Sequence, residues 1–534
     1  MSEFVSTTSS AATGDVPGIE LPVDFNAATW FIDRHLQEGR AGNTAIIDDA
    51  GSYTYGDLAT RMNRAGNALA SLGLQQEMRF AMCMLDTVDF PAVFWGGIKA
   101  GLVPIAVNTL LTSDHYDYIL RDSRARALVV SEPLLERFKP VLGRQQALEH
   151  VIVVGRDGQG HPLLSDLTAK APQELEAADT RRDDIAFWLY SSGSTGDPKG
   201  VKHLHRNLVA TAELYGKGVL GIREEDSVYS AAKLFFAYGL GNGMSFPFAV
   251  GATGVYLAGR PTPDAVMDVM ARHQPTIFCG VPTLYAAILG SIDENTRSSD
   301  RLRVCISAGE ALPENIGNRW QERFGVEILD GIGSTEMLHI FLSNWPGKVC
   351  YGTSGTPVPG YQAKLVEQDG REVGTGEIGE LLISGPSAAE SYCNQREKSL
   401  DTFMGRWTRT GDKYLRDEDG YYHYCGRTDD MFKSGGNWVS PFEVESAIVA
   451  HDKVLEAAVI SHVDDGGNLK PKAYVVVTQG VEPSDTLAEE LQSFVKDRIE
   501  VWKYPRWIEF LDSLPKTATG KIQRFKLREM DQGK

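Results

Sequence analysis

Apolar residues fall three and four positions apart at Leu58, Met62, Ala65, Leu69 and Leu72, and Gly73 follows. That spacing predicts an amphipathic helix closed by a glycine stop. A second pattern recurs around it. Short apolar, β-branched runs, "ALVVS" (127–131), "VIVVG" (151–155), "TIFCG" (276–280) and "RVCIS" (303–307), read as buried strands. The two patterns alternate for most of the length, which predicts an α/β architecture of mostly parallel sheets flanked by helices. No repeat of fixed period interrupts them.

The pattern changes after "YYHYCGRTDD" (421–430). Beyond it come "VLEAAVIS" (454–461), "KAYVVV" (472–477), a helix with Leu487, Leu491, Phe494 and Val495 on one face, and a tail rich in Lys and Arg. This reads as a small α+β domain attached at "GRTDD" (426–430). At 534 residues the chain exceeds one ordinary core. The expectation is a multi-subdomain N-terminal domain over 21–428 and a C-terminal domain over 429–534. Residues 1–20 begin "MSEFVSTTSSAATGD", without a basic flank or an apolar stretch, and read as a disordered tail rather than a secretory signal.

Composition narrows the class. Lys and Arg number 53 against 71 Asp and Glu, a net charge of −18. Such a field repels nucleic acid and anionic membrane, so neither is expected as a partner. No apolar run approaches the roughly 20 residues of a membrane span. The six cysteines are scattered and none lies at metal-clip spacing, which fits a reducing cytoplasm better than a disulfide frame or a zinc site.

The candidate chemistry begins at "YSSGSTGDPKG" (190–200). Gly193 and Gly196 let backbone N–H groups turn inward, Ser191, Ser192, Ser194 and Thr195 add hydroxyl donors, and Lys199 supplies charge, so the stretch suits phosphate. A Gly/Ser surface loop has the same composition. The run is not a Walker loop, because Gly196 is followed by Asp197 and Pro198. "GIGSTE" (331–336) is not a dinucleotide fingerprint, because Glu336 stands where the third glycine belongs.

Taken in order, "YSSGSTGDPKG", "GIGSTE", "TGD" (410–412), "GRTDD" and "PKTATGKIQR" (515–524) resemble the adenylate-forming superfamily of acyl-CoA ligases, peptide-synthetase adenylation domains and luciferases. The resemblance runs from about residue 30 to 530. It implies a loop that holds the β- and γ-phosphates of ATP, Thr335 on the α-phosphate and Glu336 on Mg2+. It places Asp412 on the ribose and Arg427 on the ribose or a phosphate, and Ala308, Gly309 and Glu310 of "SAGEAL" (307–312) beside adenine. Asp330, Gly331, Ile332, Gly333 and Ser334 complete the nucleotide-binding set, with Ile332 where many relatives carry an aromatic ring. Lys521 is implied as the lysine that bridges carboxylate and phosphate during adenylation, whereas Lys516 is read as a surface lysine. Asp429 is implied as the hinge of a mobile C-terminal domain. Its rotation would bring "KSGGNW" (433–438), and so Lys433, Ser434, Gly435 and Gly436, toward coenzyme A; an ordinary glycine turn is the competing reading of that stretch.

Within that superfamily, "AKLFFAYGLGN" (232–242) and "GSTEMLHIFLSN" (333–344) resemble the benzoate-CoA ligases. Phe236, Ala237, Tyr238 and Ile340 would form a flat apolar slot for a ring. His339 would bond near the carboxylate or an ortho substituent, or be a satisfied core histidine. The implied reaction takes benzoate and ATP to benzoyl-AMP and pyrophosphate, then coenzyme A to benzoyl-CoA and AMP. A substituted benzoate such as 2-aminobenzoate, loading of a carrier protein, and a non-catalytic sensor are the alternatives. No carrier domain follows residue 534, and the thioester ligase is the expectation. A homodimer and a lysine acetyltransferase acting on Lys521 are the macromolecular partners that the resemblance admits.

Overall fold

The computed structural model describes residue 18 and residues 20–191, 197–293, 296–435, 437–464, 466–516 and 522–533. The helix expected from the first apolar pattern runs Tyr55–Ser71 and buries Leu58, Met62, Ala65 and Leu69. Thr54 starts it: its hydroxyl accepts from the Asp57 N–H, and the Asp57 carboxylate accepts from the Thr54 N–H. Gly66 lets this helix cross Asp89–Lys99 closely, since a Cβ there would lie 2.5 Å from the Gly96 carbonyl oxygen.

Two large sheets carry the N-terminal portion. In the first, Ile185–Ser191, Val103–Ala106, Arg79–Cys83, Ala127–Ser131 and His150–Val154 are parallel neighbours, and Lys199–Leu204 and Ser391–Tyr392 extend one edge antiparallel. The second has nine strands. Its centre, from Thr44–Asp48 through Thr253–Val255, Ser227–Ser230, Ile277–Gly280 and Val304–Ser307 to Ile328–Gly333, is parallel. Antiparallel strands close both ends, including Ile340–Ser343 beside Ile328–Gly333. The four strand runs expected from sequence all lie in these sheets.

Side-chain alternation explains why those runs are apolar throughout. Phe80 and Met82 enter the main core with Ile46, Ile277 and Leu329 of the second sheet, while Ala81 and Cys83 face a separate cluster with Tyr116, Ile119 and Trp188. A strand covered on both faces has no solvent side to make polar. A third sheet departs from the parallel expectation. Gln362–Val366, Gly379–Ser384, Trp407–Arg416 and Tyr422–Arg427 pair antiparallel in sequence order. A short turn joins the last two, where "DEDG" (417–420) places Gly420 at φ 87°.

Beyond residue 430 the chain builds its own core around Val444, Ile448, Val459, Val475, Leu487 and Leu491. Val454–Val463 and Leu469–Val477 pair antiparallel and Trp507–Phe510 adds in parallel. Phe494 stands at the margin of that core, edge-on to His451 at 4.7 Å. Among the described residues no helix is long and apolar enough to cross a membrane.

Candidate active site

The glycine- and serine-rich loop joins two antiparallel strands, with Ser191 opposite Lys199 and Tyr190 opposite Gly200. Ser191 is half-buried at the strand end; Ser192, Gly193, Ser194, Thr195 and Gly196 lie outside the described residues. The base of the loop is braced. The Tyr190 hydroxyl donates to Asp122 Oδ2 at 2.7 Å and lies across Gly200, where a Cβ would approach it to 3.2 Å.

Lys199 points back toward Glu336. Its Nζ is 3.9 Å from Glu336 Oε1, donates to the Tyr392 hydroxyl at 3.3 Å, and sits 4.6 Å from that ring's centroid. Burial lowers the lysine's pKa, the Glu336 charge opposes the shift, and Lys398 and Arg427 add to it. Tyr392 itself donates to Glu336 Oε1 at 2.7 Å.

Glu336 lies in the connection of a hairpin at the edge of the second sheet, between Ile328–Gly333 and Ile340–Ser343. Asp330, Gly331, Ile332 and Gly333 lie in the strand Ile328–Gly333, and Ser334 and Thr335 continue to the glutamate. Gly331 and Gly333 are required by close approach: Cβ atoms there would lie 2.7 Å from the Leu342 carbonyl oxygen and 2.5 Å from that of His339. The Thr335 carbonyl accepts from His203 Nε2 at 2.8 Å, and burial pushes that imidazole down to about 4, so it stays neutral. Asp330 is buried. Leu312 N–H donates to its Oδ2 at 3.3 Å, whereas Oδ1 has no hydrogen-bond partner among the described residues. Burial pushes this carboxyl up to about 8. Ala308 is buried beside it, Gly309 takes φ 96°, and Glu310 is half-buried; Ile332 packs on the main core.

Asp412 and Arg427 are cross-strand partners in the third sheet, with the guanidinium 2.9 Å from Asp412 Oδ1. Burial works against the arginine's charge, but Asp412, Tyr424 and Asp429 together outweigh it and raise the pKa. Gly411, at φ 74°, leaves room for that guanidinium. Since Arg427 is felt at both Lys199 and Tyr392, one electrostatic neighbourhood joins Lys199, Glu336, Asp412 and Arg427.

Of the residues expected to line an aryl slot, Tyr238 and His339 meet. Phe236, Ala237 and Tyr238 are half-buried, and Ile340 is buried. The Tyr238 ring stacks on His339 at 5.7 Å and its hydroxyl donates to the Gly280 and Ile306 carbonyls. Tyr215 and Phe246, absent from the sequence reading, complete the ring cage around His339 at 5.2 and 4.5 Å. His339 is not a satisfied core histidine: Nε2 lies 3.4 Å from the Tyr238 carbonyl and Nδ1 has no partner among the described residues. Burial pushes it down to about 3. Another pair missed from sequence anchors the loop that precedes Phe236. Lys233 Nζ is 3.7 Å from buried Asp86, and Asp86 accepts from the Leu234 N–H at 3.3 Å. Burial pushes Asp86 up to about 6.

The proposed coenzyme A face lies on the hairpin Phe432–Ser434 and Asn437–Val439. Lys433 stands over Trp438, Ser434 accepts from Lys470 at 3.4 Å, and Gly435 takes φ 60°; Gly436 lies outside the described residues. Asp429 is exposed in a turn, followed at once by Asp430, which pairs with Arg524 and Arg528. Arg524 also makes a bidentate pair with buried Glu445, which ties the residue three positions beyond Lys521 to the helix Pro441–Val449. Lys521 lies outside the described residues.

No group of three or more His, Cys, Asp or Glu that could hold a metal occurs among the described residues. One carboxylate, Glu336, faces Lys199. That donor set fits Mg2+ carried in with a polyphosphate, which takes one or two carboxylates plus phosphate oxygens and water.

Residues 33–393 match the AMP-binding enzyme family and residues 443–521 match the AMP-binding enzyme C-terminal domain. The benzoate–CoA ligase of Thauera aromatica is 59% identical over 514 residues, 96% of this chain and 97% of that protein. A crystal structure of a benzoate CoA ligase from Burkholderia xenovorans LB400 superposes with a TM-score of 0.88 at 53% identity, covering 94% of this chain and all of that one. The anthranilate CoA ligase AuaEII, in complex with anthranoyl-AMP, superposes with a TM-score of 0.93 at 43% identity, covering 96% and 98%.

Proposed function

The chain belongs to the AMP-binding enzyme family, and from that premise we propose that it is an AMP-forming acid–thiol ligase that joins benzoate to coenzyme A. The observation that carries this reading is the 59% identity to a benzoate–CoA ligase across nearly the whole of both chains. The cage of Tyr238, His339, Tyr215 and Phe246 supports an aryl acid, since flat rings pack well against such faces.

A carboxylate resists attack because incoming electrons meet an already negative group. Making the mixed anhydride with AMP brings two anions together, and the chain supplies positive and donor groups where charge collects. Lys199 and the loop before it hold the β- and γ-phosphates. Thr335 bonds the α-phosphate, and Asp412 accepts from the ribose hydroxyls while Arg427 keeps it aimed. The Oδ1 of Asp330, unpaired among the described residues, suits a donor on adenine. Glu336 holds Mg2+, which when bound neutralises the phosphates. Lys521 bridges the reacting oxygens, and rotation about Asp429 then exchanges it for the Lys433–Gly436 face, so one slot serves both steps. Acetylation of Lys521 would cancel its charge.

A second reading has its own support. The likeness to the anthranilate CoA ligase, together with the neutral His339 whose Nδ1 lone pair can accept a hydrogen bond, favours tolerance of an ortho amino group. Thioester formation across benzoate, 2-aminobenzoate, 4-hydroxybenzoate and short fatty acids tests both readings. Benzoate is expected to give the highest kcat/KM. Preference for 2-aminobenzoate would replace the first reading by the second, and pyrophosphate release without any CoA thioester would refute both.

A further inference from the structure

Tyr392 was singled out by no motif, yet it touches both charges at the centre of the site. Its hydroxyl donates to Glu336 Oε1 at 2.7 Å and accepts from Lys199 Nζ at 3.3 Å, while the two charged atoms stay 3.9 Å apart. A charge-assisted pair left to itself closes to about 2.7–2.9 Å. The backbone places the hydroxyl there from both sides. Tyr392 pairs with Val201, two residues after Lys199, and the Cys393 N–H donates to the Gly200 carbonyl at 2.7 Å. Three residues earlier, the Ala389 N–H donates to the Glu336 carbonyl at 2.8 Å. The ring is 4% exposed and packs with Val201, Ala389 and Phe403. One short segment is thus bonded to both chains that carry the charges.

We propose that Tyr392 is a positioning residue that keeps Lys199 and Glu336 from collapsing into a direct ion pair, so that the ammonium stays available to phosphate and the carboxylate to the metal that accompanies it. The proposal rests on the roles given to Lys199 and Glu336 above. Without the hydroxyl the closed pair would have to be broken each time the nucleotide enters, which weakens binding without touching the chemical step.

The test is Tyr392→Phe in the full chain, which keeps the ring and removes one oxygen. Isothermal titration calorimetry with MgATP and no acid is expected to give a Kd about tenfold higher than wild type, the size of one hydrogen bond to charged groups. The magnesium concentration for half-maximal benzoate-dependent ATP–pyrophosphate exchange rises in step. The kcat at saturating MgATP and the melting temperature hold. In a Lys199→Ala background there is no cation to hold off, so adding Tyr392→Phe is expected to cost much less than it does alone. A wild-type Kd in Tyr392→Phe, or full additivity with Lys199→Ala, overturns the proposal. Calorimetry needs no acid, so a failure of benzoate as substrate shows separately, as exchange absent from the wild type.

Discussion

Gly333 stands where two strands meet too closely for a side chain, three residues before Glu336. An alanine Cβ there would lie 2.5 Å from the His339 carbonyl oxygen, 2.6 Å from its carbon and 2.8 Å from Ile340 N. Ordinary contact begins at 3.4 Å. All three atoms are backbone, so the hairpin Ile328–Gly333 and Ile340–Ser343 has to open by about 0.9 Å, because no flexible side chain can yield instead. Overpacking of this kind costs about 1–3 kcal/mol. A stability of about 5–15 kcal/mol absorbs it, so the variant stays folded. The site does not absorb it. The same opening carries Thr335 and Glu336 away from Lys199 on one side and His339 away from Tyr238 on the other. A displacement near 1 Å costs about 10²-fold in rate. Benzoate-dependent ATP–pyrophosphate exchange, with thermal unfolding followed in parallel, measures both effects. Gly143→Ala is the control, since Gly143 has φ −71° and nothing within 4 Å of the added carbon. Exchange by Gly333→Ala within about threefold of the control would refute the argument that this hairpin fixes the reacting geometry.

Lys521→Ala is expected to lower benzoyl-adenylate formation by about 10²-fold or more, through loss of a cation at the transition state, while thioester formation from supplied benzoyl-adenylate survives much better. Equal damage to both half-reactions, measured separately, would remove Lys521 from its role. Asp412→Ala should raise the KM for ATP by about 10- to 100-fold, the range of a hydrogen bond to a charged group, and leave the KM for benzoate unchanged. Parallel rises in both constants would contradict the ribose assignment. His35 supplies a pH test. It is fully buried, accepts at Nδ1 from Arg40 Nε at 2.8 Å, and burial pushes it down to about 4. Its folded pKa lies below the unfolded value of about 6.5, so its stabilising effect is complete above that value and is lost as pH falls toward the folded pKa, about 2 kcal/mol of it by pH 5. Urea unfolding of His35→Gln at pH 7 and pH 5 should therefore show a drop smaller by about that amount than in the wild type; an equal drop would show that His35 does not titrate there.

Sequence and structure agree where the relevant information is local. The spacing of Leu58, Met62, Ala65 and Leu69 gives a helix face that is buried as expected, and the four apolar runs are strands because each is covered on both sides. Motif residues within a few positions of one another, such as those from Asp330 to Glu336, arrive together because one hairpin carries them. Long-range partners were illegible. Tyr392 is 193 residues from Lys199 and 56 from Glu336, and the pairing of Ser391–Tyr392 with Lys199–Leu204 and the Ala389–Glu336 backbone bond bring it in. Leu234 is 148 residues from Asp86, whose carboxylate it shares with Lys233. His339 stood between two readings because spacing cannot tell whether a buried ring nitrogen finds a partner. The structure leaves Nδ1 without one among the described residues. The antiparallel third sheet went unread because its strands, Gln362–Val366 to Tyr422–Arg427, mix half-buried polar and apolar positions without clean alternation.

The central claim is that an oxygen of the acid bonds to the α-phosphorus before any thiol arrives. Benzoate labelled with oxygen-18 in its carboxyl group tests it directly. Attack on phosphorus followed by thiolysis at the carbonyl carbon leaves one carboxylate oxygen behind on the nucleotide, so mass spectrometry should find one labelled oxygen in each AMP and none in pyrophosphate. Unlabelled AMP, or ADP with the label in inorganic phosphate, would contradict the account.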